Sequence, residues 1–361
     1  MRANDRVVGL LNAGFQAHQR GELQSADALY RSVLDIDPSH IDALHLSGLC
    51  AAQAGNLQRA QALFEQVLQA RPEHAPAWNN LANVYLAQGN REQAMLHYAR
   101  SRAADPDYPD AMFNQALLLL DVVRLDEAIS ALNALLALQP EFAPGHMQLG
   151  IAYARSHQPQ RALAAFDQAL ALGLRNAELW LERGNCLREA RQMPAALHSF
   201  EQAIALNPDG LHAYRNHGVV LHDLGQHAMA VQSYDQALQR NPDYHAARYS
   251  RALALQHLGQ LDQAINDYQR VVDAAPDTPF ALGRLMHARM LACDWRDWES
   301  LVSRLDRAVA AGQPAATRQD CRRRPEAGHP ARARPSLRAI PISGGYCRHP
   351  GRGSSGTPHR Y

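Results

Sequence analysis

The chain has 361 residues, 47% hydrophobic and 20% charged, with a formal net charge of +1. Its longest apolar runs, such as residues 116–120, are far short of the ~20 residues of a membrane helix. Met1-Arg2-Ala3-Asn4-Asp5 carries an acid with no apolar stretch behind it, so neither a membrane span nor a signal peptide is expected, and a cytoplasmic location is. Every non-histidine basic residue is arginine, which excludes lysine-dependent phosphate loops and Schiff bases, and the five cysteines form no C-x-x-C pair, so no metal framework is expected.

The dominant pattern is a period of 34 residues. Proline recurs at Pro38, Pro72, Pro106, Pro140, Pro208, Pro242 and Pro276, with Leu174 in the one vacant place. Twelve residues before each rung stands an alanine: Ala26, Ala60, Ala94, Ala128, Ala162, Ala196, Ala230 and Ala264. A fixed period of this length means a solenoid, whose units pack on their neighbours and present a long surface.

Counted from residue 7, each unit reads as two helices. The first opens just after the proline and ends near Gly21, Gly55, Gly89, Gly225 or Gly259, the residue type favoured past a helix end. In units four to six Val123, His157 and Arg191 stand there instead, and the fold is expected to persist. The second helix carries the alanine and, four residues on, Tyr30, Phe64, Tyr98, Leu132, Phe166, Phe200, Tyr234 or Tyr268. Position 8 is always small, from Gly14 to Ala252, so that the two backbones can approach while the aromatic fills space against the next unit. The register degrades from residue 279, where a helix to Leu291, the run Cys293-Asp294-Trp295-Arg296-Asp297-Trp298 and a helix to about Ala310 form a terminal pair over 279–312. Residues 313–361 are rich in Arg, Pro and Gly, lack periodicity and are expected to be disordered. Ten arginines there oppose Asp320 and Glu326, so the tail carries about +8 and the rest about −7.

The pattern Trp78-x-x-Leu81-Ala82-x-x-Tyr85, then Ala94-x-x-x-Tyr98 and Pro106, resembles the tetratricopeptide repeat. The resemblance covers residues 7–278 and implies eight repeats in an all-α, right-handed superhelix whose first helices line the concave side. The run Cys293–Trp298 after such repeats resembles the junction in bacterial O-linked N-acetylglucosamine transferase-like proteins of the SPINDLY type. In that family the repeats select protein substrates and two C-terminal lobes transfer the sugar. Those lobes are absent from this sequence, and no catalytic residue can be carried over.

On the first helices, repeat positions 2, 6, 9 and 13 form the stripe opposite the packing face. Position 6 supplies Asn12, Asn80, Asn114 and Asn216, with Glu182, Gln148 and Ser250 also polar; position 9 adds Asn83 and Asn185. Asp110 and Asp223 lie on the same stripe with further acids, against a lone Arg155. A row of amides can donate to and accept from an extended backbone, so these residues are the candidate peptide-binding set. A solvated helix face is the competing explanation, weakened by asparagine's poor helix propensity.

His212, His217, His222 and His227 recur every five residues, which sends them to different helix faces, so they read as scattered surface residues and no metal site is expected. No nucleophile–base–acid signature appears, and neither catalysis, a cofactor nor a small-molecule substrate is expected. The tail lacks the aromatics of a single-strand binder, and nucleic acid is not an expected partner. The expected function is a scaffold that binds a protein or peptide in extended, polar or basic form. The alternative is the substrate-recognition half of a glycosyltransferase, with the tail an out-of-frame remnant.

Overall fold

The computed structural model describes residues 3–314. These form helices α1 (Ala3–Gln19), α2 (Leu23–Leu34), α3 (Ile41–Gln53), α4 (Leu57–Ala70), α5 (Ala75–Ala87) and α6 (Arg91–Ala104). Next come α7 (Pro109–Asp121), α8 (Leu125–Leu138), α9 (Ala143–Arg155), α10 (Pro159–Ala171), α11 (Ala177–Glu189) and α12 (Met193–Leu206). The last six are α13 (Leu211–Asp223), α14 (His227–Arg240), α15 (His245–His257), α16 (Leu261–Ala274), α17 (Ala281–Leu291) and α18 (Trp298–Ala310). No strand occurs among the described residues. Each helix packs on the one before and the one after, the arrangement of an α-solenoid built from helix pairs. The Arg-rich tail and its out-of-frame reading lie, beyond Pro314, outside the described residues.

The first-to-second-helix turn is the same in all eight repeats. In repeat 2 the Gly55 N–H donates to Ala52 O and the Asn56 N–H to Ala51 O, closing α3 with a left-handed residue at φ 77°. Val123, His157 and Arg191 take this conformation at φ 60°, 57° and 60° and keep the same two hydrogen bonds. In repeat 5, where Leu174 replaces the proline, Gly173 at φ 88° ends α10 through its N–H to Leu170 O.

The core follows the period. The eight alanines are fully buried, and so are the eight large residues four positions on, each stabilising by about 1.5–3 kcal/mol relative to exposure. The aromatic packs both ways: its ring lies under the position-8 residue of its own repeat and shares a core cluster with the next repeat, as Tyr30 does with Cys50 and Phe200 with Val220. A Cβ added to Gly14 would sit 2.5 Å from the Tyr30 ring, and one added to Gly150 would sit 2.5 Å from the Phe166 ring.

Polar staples also join the repeats. Arg183 bridges Asp167 of the preceding second helix (2.8 Å) and Ser199 of its own repeat (2.9 Å). Two repeats later in the same register, Arg251 bridges Asp235 (2.5 Å) and Asp267 (2.7 Å). At the ninth pair Trp298 takes the alanine's place, half-buried, with Trp295 edge-on to it at 5.2 Å.

Candidate functional site

Consecutive first helices touch directly, α3 with α5, α5 with α7 and onward through α13 with α15, more closely than consecutive second helices do. The first helices are therefore the inner rank, and the stripe holding the candidate residues runs along it.

The amides of this stripe are linked across repeats. Asn114 Nδ2 donates to Asn79 Oδ1 (3.0 Å), Asn79 Nδ2 to Asn80 Oδ1 (3.4 Å), and Asn80 Nδ2 to His45 Nε2 (2.8 Å). Burial, followed by His74, pushes the His45 pKa down to about 4, against the opposing pull of Asp42; the ring is neutral at pH 7 and its Nε2 can accept. A second chain runs through repeats 6 and 7: Arg215 donates to Asn216 Oδ1 (3.2 Å), Asn216 Nδ2 to Asn185 Oδ1 (2.8 Å), and Asn185 Nδ2 to Glu182 Oε2 (3.4 Å). Asn83 accepts from the Tyr98 hydroxyl at 2.5 Å, and Asn12 is exposed at the start of the rank. The sequence reading missed Asn79, which is buried at position 5, just outside the chosen stripe, and joins Asn80 to Asn114.

The acids differ in what they are free to do. Asp121 is held by Arg91 at 2.7 Å. Asp110 accepts from the Tyr108 hydroxyl at 3.0 Å, and Asp223 is exposed at the end of α13. Glu182 is half-buried, and its one hydrogen bond is the long one from Asn185. Burial raises its pKa, Glu178 adds to the rise, and Asn185, Arg155 and His212 oppose it. A carboxylate so placed is short of positive partners.

Between α3 and α5 the inner face opens into a pocket of about 300 Å³, lined by Leu49, Leu57, Phe64 and Val84 with Asn80 and Asn83 at its wall. It can seat an apolar side chain beside two amides. The stripe pattern gave no sign of it, because Leu57 and Phe64 of its lining come from the second helix.

The histidine expectation is corrected. His222 ends α13 and His227 opens α14, so rotation about one helix does not set their separation; the α13–α14 turn brings them within 4.7 Å, and His257 of the next repeat joins them. Among the described residues no group of three or more His, Cys, Asp or Glu could hold a metal ion, and no helix is long and apolar enough to cross a membrane.

Residues 51–117 match one family model described as tetratricopeptide repeat, and residues 147–210, 188–244 and 215–279 match a second of the same description. The chain is a tetratricopeptide repeat protein. Its repeats have the helix-pair fold of solved structures at low identity. The Cut9–Hcn1 hetero-tetramer of APC/C is 20% identical over 77% of this chain and 55% of that one, with TM-score 0.54. PilF of Pseudomonas aeruginosa is 20% identical over 60% of this chain and 98% of that one, TM-score 0.54. PilW, a type IV pilus biogenesis factor, is 19% identical over 56% and 94%, TM-score 0.52. No curated protein matches the chain. The repeat fold is that of a protein-interaction scaffold.

Proposed function

We propose that this repeat protein binds an extended segment of a protein partner along the inner rank of first helices, seating an apolar side chain between α3 and α5 and a basic one at repeats 6 and 7. The observation that carries this is Glu182: a half-buried carboxyl raised by burial, tied to an amide chain and engaged in no ion pair. An arriving guanidinium or ammonium supplies the charge it lacks, while the amides of Asn80, Asn114, Asn185 and Asn216 retain lone pairs and N–H groups for the segment's backbone. Each such bond adds only about 0.5–1.5 kcal/mol, so affinity is built from several in register. Asn12, Asn83, Asp110 and Asp223 extend the surface at its margins. We assign no catalytic step, cofactor or metal to this chain.

The test is binding of a labelled peptide carrying one leucine and two arginines in a Gly/Ser backbone. Glu182→Gln should weaken it about tenfold, as for a lost charged hydrogen bond, and raised salt should weaken it further. Equal affinity for the same peptide with glutamates in place of the arginines would exclude a basic partner. Unchanged affinity in Asn80→Ala/Asn114→Ala/Asn216→Ala would exclude the amides.

A second reading, that these repeats are the substrate-recognition half of a glycosyltransferase, rests on Cys293–Trp298. That run folds as an ordered loop, with Asp294 held by Arg296 at 2.8 Å and left-handed residues at Cys293 and Asp297. Sequencing the gene across codons 305–361 tests it: an alternative frame open well past the stop supports the transferase, and closed frames remove it.

A further inference from the structure

Three imidazoles from three helices meet at the junction of repeats 7 and 8. His222 lies at the end of α13, His227 opens α14 and His257 closes α15. Ring centroids are 4.7 Å apart for His222–His227, 5.1 Å for His222–His257 and 4.6 Å for His227–His257, the last pair stacked at 16°. The Nδ1 atoms of His222 and His227 are buried without a hydrogen-bond partner. Two rings face to face do not converge their lone pairs on one point, in keeping with the absence of a metal-holding group among the described residues.

The cluster is built to be neutral. Burial lowers the His222 pKa, and the other two rings lower it further; burial and then His227 lower that of His257. The charged groups acting on the rings are Asp223 on α13, which favours a proton on His222, and Arg284 on α17, which opposes one on His257. Among the described residues no ion pair compensates a proton on any of the three, and stacked imidazolium rings at this spacing repel.

We propose that His222, His227 and His257 form a proton-operated latch on the junction of repeats 7 and 8, closed while the rings are neutral and opened when two of them are charged. The sign follows from linkage. His222 and His257 take protons more readily in an opened junction than in the closed one, so closure is complete above the ordinary histidine value near ~6.5 and weakens as pH falls below it. Opening would divide the inner rank just where Asp223 stands, independently of what that rank binds.

Amide hydrogen exchange on the full chain at about pH 7 and about pH 5.5 tests the latch, spanning the ordinary histidine value. After correction for intrinsic rates, acidification should cost the amides of α13–α15 up to about tenfold in protection for each ring that gains a proton on opening. The amides of α3–α6 should hold, and His222→Gln/His257→Gln should abolish the loss. An equal loss in the double variant, or none in the wild type, would overturn the proposal. Should the variant not fold, ring-proton titration of the wild type decides: coupled curves with midpoints below ~6.5 support the latch, and three independent curves at the ordinary value overturn it.

Discussion

Replacing Val123 by glycine should stabilise the array. Val123 sits at φ 60°, is 69% exposed, and contributes to its turn only through backbone hydrogen bonds, its own N–H to Leu120 O and the Arg124 N–H to Leu119 O. Losing the side chain therefore forfeits little burial and no hydrogen bond. The left-handed conformation costs an L-residue about 1–2 kcal/mol, and a β-branched one is among the least tolerant. Glycine's larger unfolded-state entropy returns about 0.5–1 kcal/mol of that, and with valine at the upper end of the cost, about 2 kcal/mol, the net gain is about 1–1.5 kcal/mol. His157→Gly and Arg191→Gly should act alike and add, being in separate repeats. The mirror substitution Gly89→Val, at φ 81° with open space around it, should lose a comparable amount. Urea unfolding analysed with nearest-neighbour coupling between repeats is the assay. A neutral or destabilised Val123→Gly would refute the reasoning, since it would mean that the turn at repeat 4 bears no left-handed strain.

Two further outcomes follow from the core and the staples. Gly150→Val should cost about 1–3 kcal/mol by overpacking against the Phe166 ring, and Phe166→Leu should recover part of it, since repeat 4 combines Ala116 with Leu132; a double-mutant cycle with no coupling would refute the contact. At Asp27, burial alone would raise the pKa, but Arg59 at 2.8 Å on both oxygens, Ser47 at 2.6 Å and Arg31 overcome it and bring the value down to about 2. The folded value is depressed, so the stabilisation, on the order of 2 kcal/mol, is present above the unfolded value near 4 and is lost as pH falls towards 2. The stability gap between wild type and Asp27→Asn, measured by urea unfolding, should narrow over that range, and a constant gap would remove Asp27 as its source.

The helix pairs, the buried alanines and the terminal helices were legible because packing enforces them position by position: a solenoid core repeats its demands every 34 residues, and residues in register report it. The turns at Val123, His157 and Arg191 were legible for the same reason, since neighbouring repeats impose the geometry even where glycine is absent. The destination of the aromatic was not. Sequence spacing places Tyr30 sixteen residues after Gly14 but does not say that its ring lies under that glycine as well as in one cluster with Cys50 of the next repeat.

What joins the inner rank is not written at the period of 34. Side chains at one repeat position lie on parallel helices but lean along them, so the partners that meet are offset. His45 reaches Asn80, Asn79 reaches Asn114, and Arg155 reaches Leu120 O, each 35 residues apart. Asn185 with Asn216 and Gln256 with His287 are 31 apart, one helical turn back. His222 and His257 are again 35 apart. A search in strict register aligns like with like and therefore finds the core, while the contacts that could bind or switch lie one residue beyond it or one turn short. Asn79 escaped notice because it is one position from Asn80, and the histidine cluster because its members occupy positions 12, 17 and 13. Moving His257 one place, as His257→Leu/Leu258→His, should separate the third ring from the cluster and restore an ordinary titration midpoint at His222. Retention of the depressed midpoint would show that the one-residue offset does not set the contact.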